Sequence, residues 1–235
     1  MDLFGERVIN EKLAGGGWTR RHNSIIWKLN ALACYAGLPV EYEVYGIFAH
    51  LLPQQALSRL EKNRTRQVLR PDFRLDYPSE TGVVVTRLAD IETIGLGGKT
   101  YYKPGFKGRQ NKTRAVDRRT AWIQVEYRDK AARMDEAMGK ERGRGPVSRR
   151  LEEFKQVIDL CFGGYGEASD SVHKLVEVLA KFRVKSLSLA TGWALDTKQL
   201  GLEMSLIRRR LSTAVIRTNQ TLLLSCLGQV GDGRA

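Results

Sequence analysis

Asp72, Asp90 and Glu92 are the side chains whose type and spacing suit a reaction centre. Asp72 lies in Arg70-Pro71-Asp72-Phe73-Arg74-Leu75-Asp76, where Phe73 and Leu75 alternate with Asp72, Arg74 and Asp76. That alternation is the period of a half-buried strand. Asp90 and Glu92 lie in the stretch from Val83 to Ile94, which is rich in β-branched residues and also reads as a strand. Between the two, Pro78-Ser79-Glu80-Thr81-Gly82 has turn composition, which predicts an antiparallel pair. Asp90 and Glu92 are two residues apart, so they share one face of their strand. Carboxylates gathered on one sheet face repel each other unless a cation neutralises them. Hard oxygen ligands of this kind suit Mg²⁺ or Mn²⁺.

The elements that would position these residues follow in order. Residues 1–20 carry no clear period, and residues 1–21 read as a flexible segment with Gly15-Gly16-Gly17 as its joint. Asn23 or Ser24 is an expected N-cap for a helix through Ile25, Leu29, Leu32 and Ala36, closed by Gly37 and Pro39. His22, beside Arg20 and Arg21, is placed to meet a phosphate at that helix start or to serve as a surface cap. Val40 to Tyr45 alternates with Glu41 and Glu43 as a strand, and Glu43 is a further candidate ligand. Pro53 to Lys62 reads as a short helix.

After the paired strands, Val116, Thr120, Ile123, Tyr127, Ala131, Met134 and Met138 mark a helix from Lys112 to Met138. Pro146 opens a short helix to about Phe154, and Val157 to Phe162 is an apolar run read as a buried strand. Gly163 to Ser169 forms a glycine-rich turn into a helix with Val172, Leu175, Val176 and Leu179 inward. It lacks the lysine of a phosphate-binding loop and reads as a tight connection. Leu195 to Leu227 is one or two helices, carrying Arg208-Arg209-Arg210, which cover the core or pair two chains into a homodimer.

With 235 residues, 42% of them hydrophobic, the chain has material for one cored domain and an appendage. The formal net charge of +13 favours an anionic partner, most simply nucleic acid. One basic run, Arg59, Lys62, Arg64, Arg66 and Arg70, enters the Asp72 strand. Another, in the glycine-rich stretch after Ile94, places Lys99, Lys103, Lys107 and Arg109 among Tyr101, Tyr102 and Phe106. Such a loop suits phosphates and base stacking, and its tyrosines suit packing on the sheet equally well. Cys34, Cys161 and Cys226 are distant from one another in apolar runs, which predicts buried free thiols in a reducing, intracellular compartment, nucleus or cytoplasm. No apolar run approaches membrane-spanning length, so no membrane partner is expected.

Pro71-Asp72 followed by Asp90-Ile91-Glu92 resembles the motif of the PD-(D/E)xK nuclease superfamily, with Glu92 in place of the motif lysine. The predicted order of helix, three strands, helix, strand and helix resembles the restriction-endonuclease-like α/β core. One short helix is inserted after the first strand, and a helical C-terminal extension follows. The resemblance covers residues 22–182, with 183–235 as the extension. It implies a metal-dependent hydrolase acting on phosphodiesters, DNA in preference to RNA. Asp72, Asp90 and Glu92 would be both catalytic and metal-binding, and Arg64, Arg66, Arg70, Lys99, Lys103, Lys107 and Arg109 would bind nucleic acid. Lys99 or Lys103 would restore the positive charge of the motif lysine. Gln124 and Tyr127 resemble, one residue short in spacing, a glutamine–tyrosine pair found after the motif strand in some of these nucleases. A non-catalytic nucleic-acid-binding module on the same fold is the alternative.

The basic runs at Arg59–Arg70 and Lys107–Arg119 predict nucleic-acid affinity that falls steeply as salt rises, because phosphate contacts release counterions. A titration at increasing salt checks this; a flat response, or no binding at low salt, would remove nucleic acid from consideration.

Overall fold

The computed structural model describes residues 17–42, 44, 46–62, 68–78, 83–94, 109–155, 157–163, 166–192 and 196–231. Among these, the elements run α1 (Gly17–Ala36), β1 (Val40–Tyr42), a 3₁₀ turn (Ala49–Leu51), α2 (Gln54–Lys62), β2 (Phe73–Pro78), β3 (Val84–Thr93), α3 (Arg109–Ala137), α4 (Pro146–Glu153), β4 (Ile158–Phe162), α5 (Asp170–Thr191) and α6 (Thr197–Gly231). The class is α/β, as the periodicities predict. The strands form one sheet in the order β1-β2-β3-β4. β1 and β2 are antiparallel with Glu41 opposite Arg74, and β2 and β3 are antiparallel with Arg74 opposite Leu88. The chain divides into two compact units, Met1–Leu38 with Ile91–Arg119 and Leu160–Ala235, and Pro39–Asp90 with Thr120–Asp159.

In the second unit, Leu88 of β3 is fully buried in a cluster with Phe48, Leu60, Leu69, Ile123, Tyr127, Met134, Leu151 and Phe154. Ile123, Tyr127, Ala131 and Met134 recur at helical spacing, which is why α3 turns one apolar stripe inward. Phe48 and Phe154 meet edge to face, their centroids 6.3 Å apart. The start of α4 is capped from another helix. Gly145, at the N-cap position, has no side chain to offer, and Pro146 follows it. The buried carboxylate of Asp135 takes the cap's place, accepting hydrogen bonds from the N–H groups of Gly145, Val147 and Ser148 at 3.0–3.2 Å and from the Ser148 hydroxyl at 2.6 Å. A negative charge there also meets the positive end of the α4 dipole.

In the first unit, α1, α5 and α6 pack together. Their buried stripes are Ile25, Leu29, Leu32 and Ala36 on α1, Val172, Leu175, Val176 and Leu179 on α5, and Ile207, Leu211 and Val215 on α6. Tyr35 donates to Glu203 at 3.2 Å, and the guanidinium groups of Arg183 and Arg210 lie 4.3 and 4.8 Å from its ring. α5 ends at Gly192, whose φ of 71° is the left-handed conformation that a helix-terminating glycine adopts without strain. Among the described residues, no helix is long and apolar enough to cross a membrane.

Three expectations are corrected here. α1 starts at Gly17, not at Asn23 or Ser24. Arg21 is buried inside it, its guanidinium donating to the Ile94 carbonyl at 2.9 Å, a tertiary contact that carries the helix further back than capping signals indicate. His22 therefore lies within the helix, not at a phosphate-binding start. Cys161 is buried as expected, but Cys34 is exposed: it follows Leu32 and Ala33 on a helix, and the next step of the turn carries it off the buried stripe. The Leu195–Leu227 region is a single helix of 35 residues. The expected N-terminal flexible segment up to residue 16, the turn at residues 79–82 and the side chain of Cys226 lie outside the described residues.

A Cβ on Gly145 would stand 2.2 Å from Asp135 Oδ1. Gly145→Ala must therefore displace the α4 cap, and the expected loss is about 1–3 kcal/mol of stability, the usual range for overpacking. Urea denaturation measures it; a midpoint equal to wild type would contradict the capping role.

Candidate active site

The β2–β3 register determines what faces what. Phe73 pairs with Ala89, and the pairs run regularly to Pro78 and Val84. Asp72 stands in a bend one residue before this paired stretch, and its negative charge acts on Tyr127 of α3, as that of Asp90 does. Both aspartates are partly buried. Asp90 lies two residues beyond Leu88 and on its face, so it stands at the margin of the core cluster.

Tyr127 reaches that margin from α3. Its ring is buried among the core side chains, and its hydroxyl donates to Asp90 Oδ1 at 2.7 Å. Burial pushes the Tyr127 pKa well above its ordinary value, and the negative charges of Asp90, Asp72 and Glu126 add to the effect, as does the hydrogen bond to Asp90. The hydroxyl therefore stays protonated through neutral pH and acts on Asp90 as a fixed donor. Gln124, almost one turn earlier, donates instead to the Val157 carbonyl and anchors the helix. Of the glutamine–tyrosine pair, then, the tyrosine meets the carboxylate.

Glu92, two residues further along β3, is bound in an ion pair by Arg119 of α3. By sequence, Arg119 belongs to the basic run expected to meet phosphate. No sequence signal separates it from its basic neighbours, because the ion pair joins residues 27 positions apart. Among the described residues, no group of three or more His, Cys, Asp or Glu side chains is close enough together to hold a metal ion. The donor set that fits a Mg²⁺ or Mn²⁺ ion is the pair Asp72 and Asp90, since such ions bind through one or two carboxylates and complete their shell with water or substrate phosphate. Arg74 is drawn to Asp76 and Glu41 at 3.2 and 3.5 Å.

Arg70 is exposed just ahead of β2. Glu43, Arg64, Arg66, Lys99, Lys103 and Lys107 lie outside the described residues, as does the side chain of Arg109. No protein-family model matches the chain, and neither a curated protein nor a solved structure matches it.

The raised Tyr127 pKa makes a statement about stability. In the unfolded chain a tyrosine loses its proton at about pH 10. In the folded protein Tyr127 keeps it longer, so the unfolded state binds fewer protons above that pH. The contribution of this group is constant below about pH 10 and is lost as pH rises from there toward the folded pKa. Tyr127→Phe removes that dependence along with a hydrogen bond to a charged group, about 1.5–3 kcal/mol. Urea unfolding of both proteins from neutral to strongly alkaline pH should show their difference in stability shrinking above about pH 10. A difference that stays constant would contradict the buried Tyr127–Asp90 bond.

Proposed function

We propose that this chain is a metal-dependent nuclease-fold protein that hydrolyses phosphodiester bonds in DNA, with Asp72 and Asp90 as its metal-binding carboxylates. The observation that supports the reading is Tyr127, which donates to Asp90 on β3 and feels the charge of Asp72 just ahead of the paired strand β2. The order α1, β1, β2, β3, α3, β4, α5 and the strand sequence β1-β2-β3-β4 agree with a restriction-endonuclease-like core. Asp90-Ile91-Glu92 falls on β3, and Pro71-Asp72 immediately precedes its neighbour β2, an arrangement that suits the PD-(D/E)xK motif. The net charge of +13 suits a polyanionic substrate.

A divalent ion bound between the two aspartates would polarise the scissile phosphate and lower the pKa of the attacking water. The chain's own contribution is positional. Tyr127 fixes the orientation of Asp90 and keeps its own proton on the phenolic oxygen, so that it stays a donor to that carboxylate. Asp72, at the mouth of β2, supplies the second negative charge.

A second reading, a non-catalytic nucleic-acid-binding module on the same fold, is favoured by one observation. Glu92 stands at the motif's lysine position and is already neutralised by Arg119. In this reading the carboxylates are structural and the positive charge of the chain provides the function.

The two readings separate on one substitution. In the nuclease, Asp90→Asn should lower metal-dependent cleavage of plasmid DNA at least about 100-fold, since losing a metal ligand removes several kcal/mol of transition-state stabilisation. DNA binding should persist or tighten slightly, because a charge repelling phosphate has gone. Cleavage with Mg²⁺ or Mn²⁺ and with chelator, alongside binding, is the measurement. Wild-type protein that binds DNA but cuts it with neither ion would establish the binding module instead.

A further inference from the structure

A groove of about 660 Å³ lies between α1 and α6, within the first unit. Arg20 and Lys28 of α1 line one side, and Arg209, Arg210 and Arg217 of α6 line the other, with Trp27 beside them. The spacing explains the concentration of charge. Positions 20, 24, 27, 28 and 31 repeat with the helical period, as do 210, 213, 214, 217, 218 and 221, so each helix turns one stripe to the groove. At the floor, Thr218 Oγ1 lies 3.3 Å from Ser24 Oγ, joining the two stripes.

The chain carries 26 acidic residues, yet among the described residues no Asp or Glu lines the groove. α1 contains none from Gly17 to Ala36, and the one acid in α6 is Glu203, which is engaged by Tyr35. Arg20, Lys28, Arg209 and Arg217 form no salt bridge with any described residue. Arg210 is stacked on Tyr35; the other four cations facing the groove repel each other, and a polyanion relieves that repulsion. Trp27 is 63% exposed, which leaves its ring face open to a stacking partner.

We propose that this groove binds single-stranded nucleic acid, its cations on the phosphates and Trp27 stacked on an unpaired base. The combination of a basic groove and an exposed aromatic is the one such strands require, since every base has a face to stack. A duplex keeps its bases stacked on each other and leaves Trp27 without a partner. An anionic membrane would call for a row of large apolar side chains to insert, whereas the groove stripes carry Ser24, Ala31, Thr213 and Ala214 between their cations. The site shares only its class of partner with the proposed nuclease and uses none of the residues assigned there.

Anisotropy of a fluorescein-labelled oligothymidylate, with chelator present, tests it on the full chain. Trp27→Ala should weaken binding roughly ten-fold or more, the effect of losing one stacked base, and Trp27→Phe should recover most of it. Arg209→Gln with Arg217→Gln should weaken binding and reduce the slope of log affinity against log salt by about 1.4, two phosphates at about 0.7 each. Binding is read with chelator and cleavage of plasmid with Mg²⁺, so that a dead nuclease and an unused groove give different results. Photocrosslinking of iodo-uracil oligonucleotide to the wild-type protein, mapped to Trp27, gives the same answer with no variant to fold. The proposal is overturned if the groove variants bind the oligonucleotide like wild type and the crosslink maps elsewhere. It is also overturned if they lose duplex, polyglutamate or phosphatidylserine-vesicle binding instead.

Discussion

The pairing register of β2 with β3 is the constraint on which the candidate site depends. Side chains alternate along a strand, so a slip of one residue would carry Leu88 out of its core and turn Asp90 to the opposite face. Burial of Leu88 alone, worth about 1.5–3 kcal/mol, opposes such a slip. On the other face Phe73, Leu75, Ala89 and Ile91 are buried as well, so both faces of the pair resist it. Asp90 is thus held on its face of β3, beside the start of β2, by apolar side chains that take no part in its chemistry.

α3 carries the other half of the positioning. Within the second unit it is tied down at several points. Gln124 holds the Val157 carbonyl, Met134 accepts the Leu69 N–H at its sulfur, and Asp135 caps α4. Tyr127 sits between these anchors, so its hydroxyl is delivered to Asp90 by a helix with little freedom to rotate. A site needs its supporting shell fixed as firmly as its own residues, and two of these four polar contacts, those of Met134 and Asp135, come from side chains that no motif contains.

The parts of this arrangement that could be read in advance were those governed by local periods. The strand pair, the long helix after it, the Pro146 helix and the apolar strand near Cys161 all follow from spacings of two or of three and four. What escaped was tertiary. Asp135 looks like an ordinary helix-surface acid, because its role depends on Gly145 folding back ten positions along the chain. Arg119 looks like its basic neighbours until β3 brings Glu92 beside it. Arg21 reads as a surface cation and is in fact buried on the Ile94 carbonyl. Tyr127 was legible as a core position, and its hydroxyl's target only by resemblance. The groove between α1 and α6 joins two stripes nearly the whole chain apart, and only the triple arginine hinted at one of them.

The central claim is that Asp72 and Asp90 together bind a divalent cation. Mn²⁺ titration followed by electron paramagnetic resonance tests this without substrate and without turnover. The bound-ion signal should saturate at one high-affinity site in the wild-type protein and be lost in both Asp72→Asn and Asp90→Asn, while Glu92→Gln retains it, since Glu92 is held by Arg119. Mn²⁺ binding that is absent from the wild type, or that survives both aspartate substitutions unchanged, would contradict the claim.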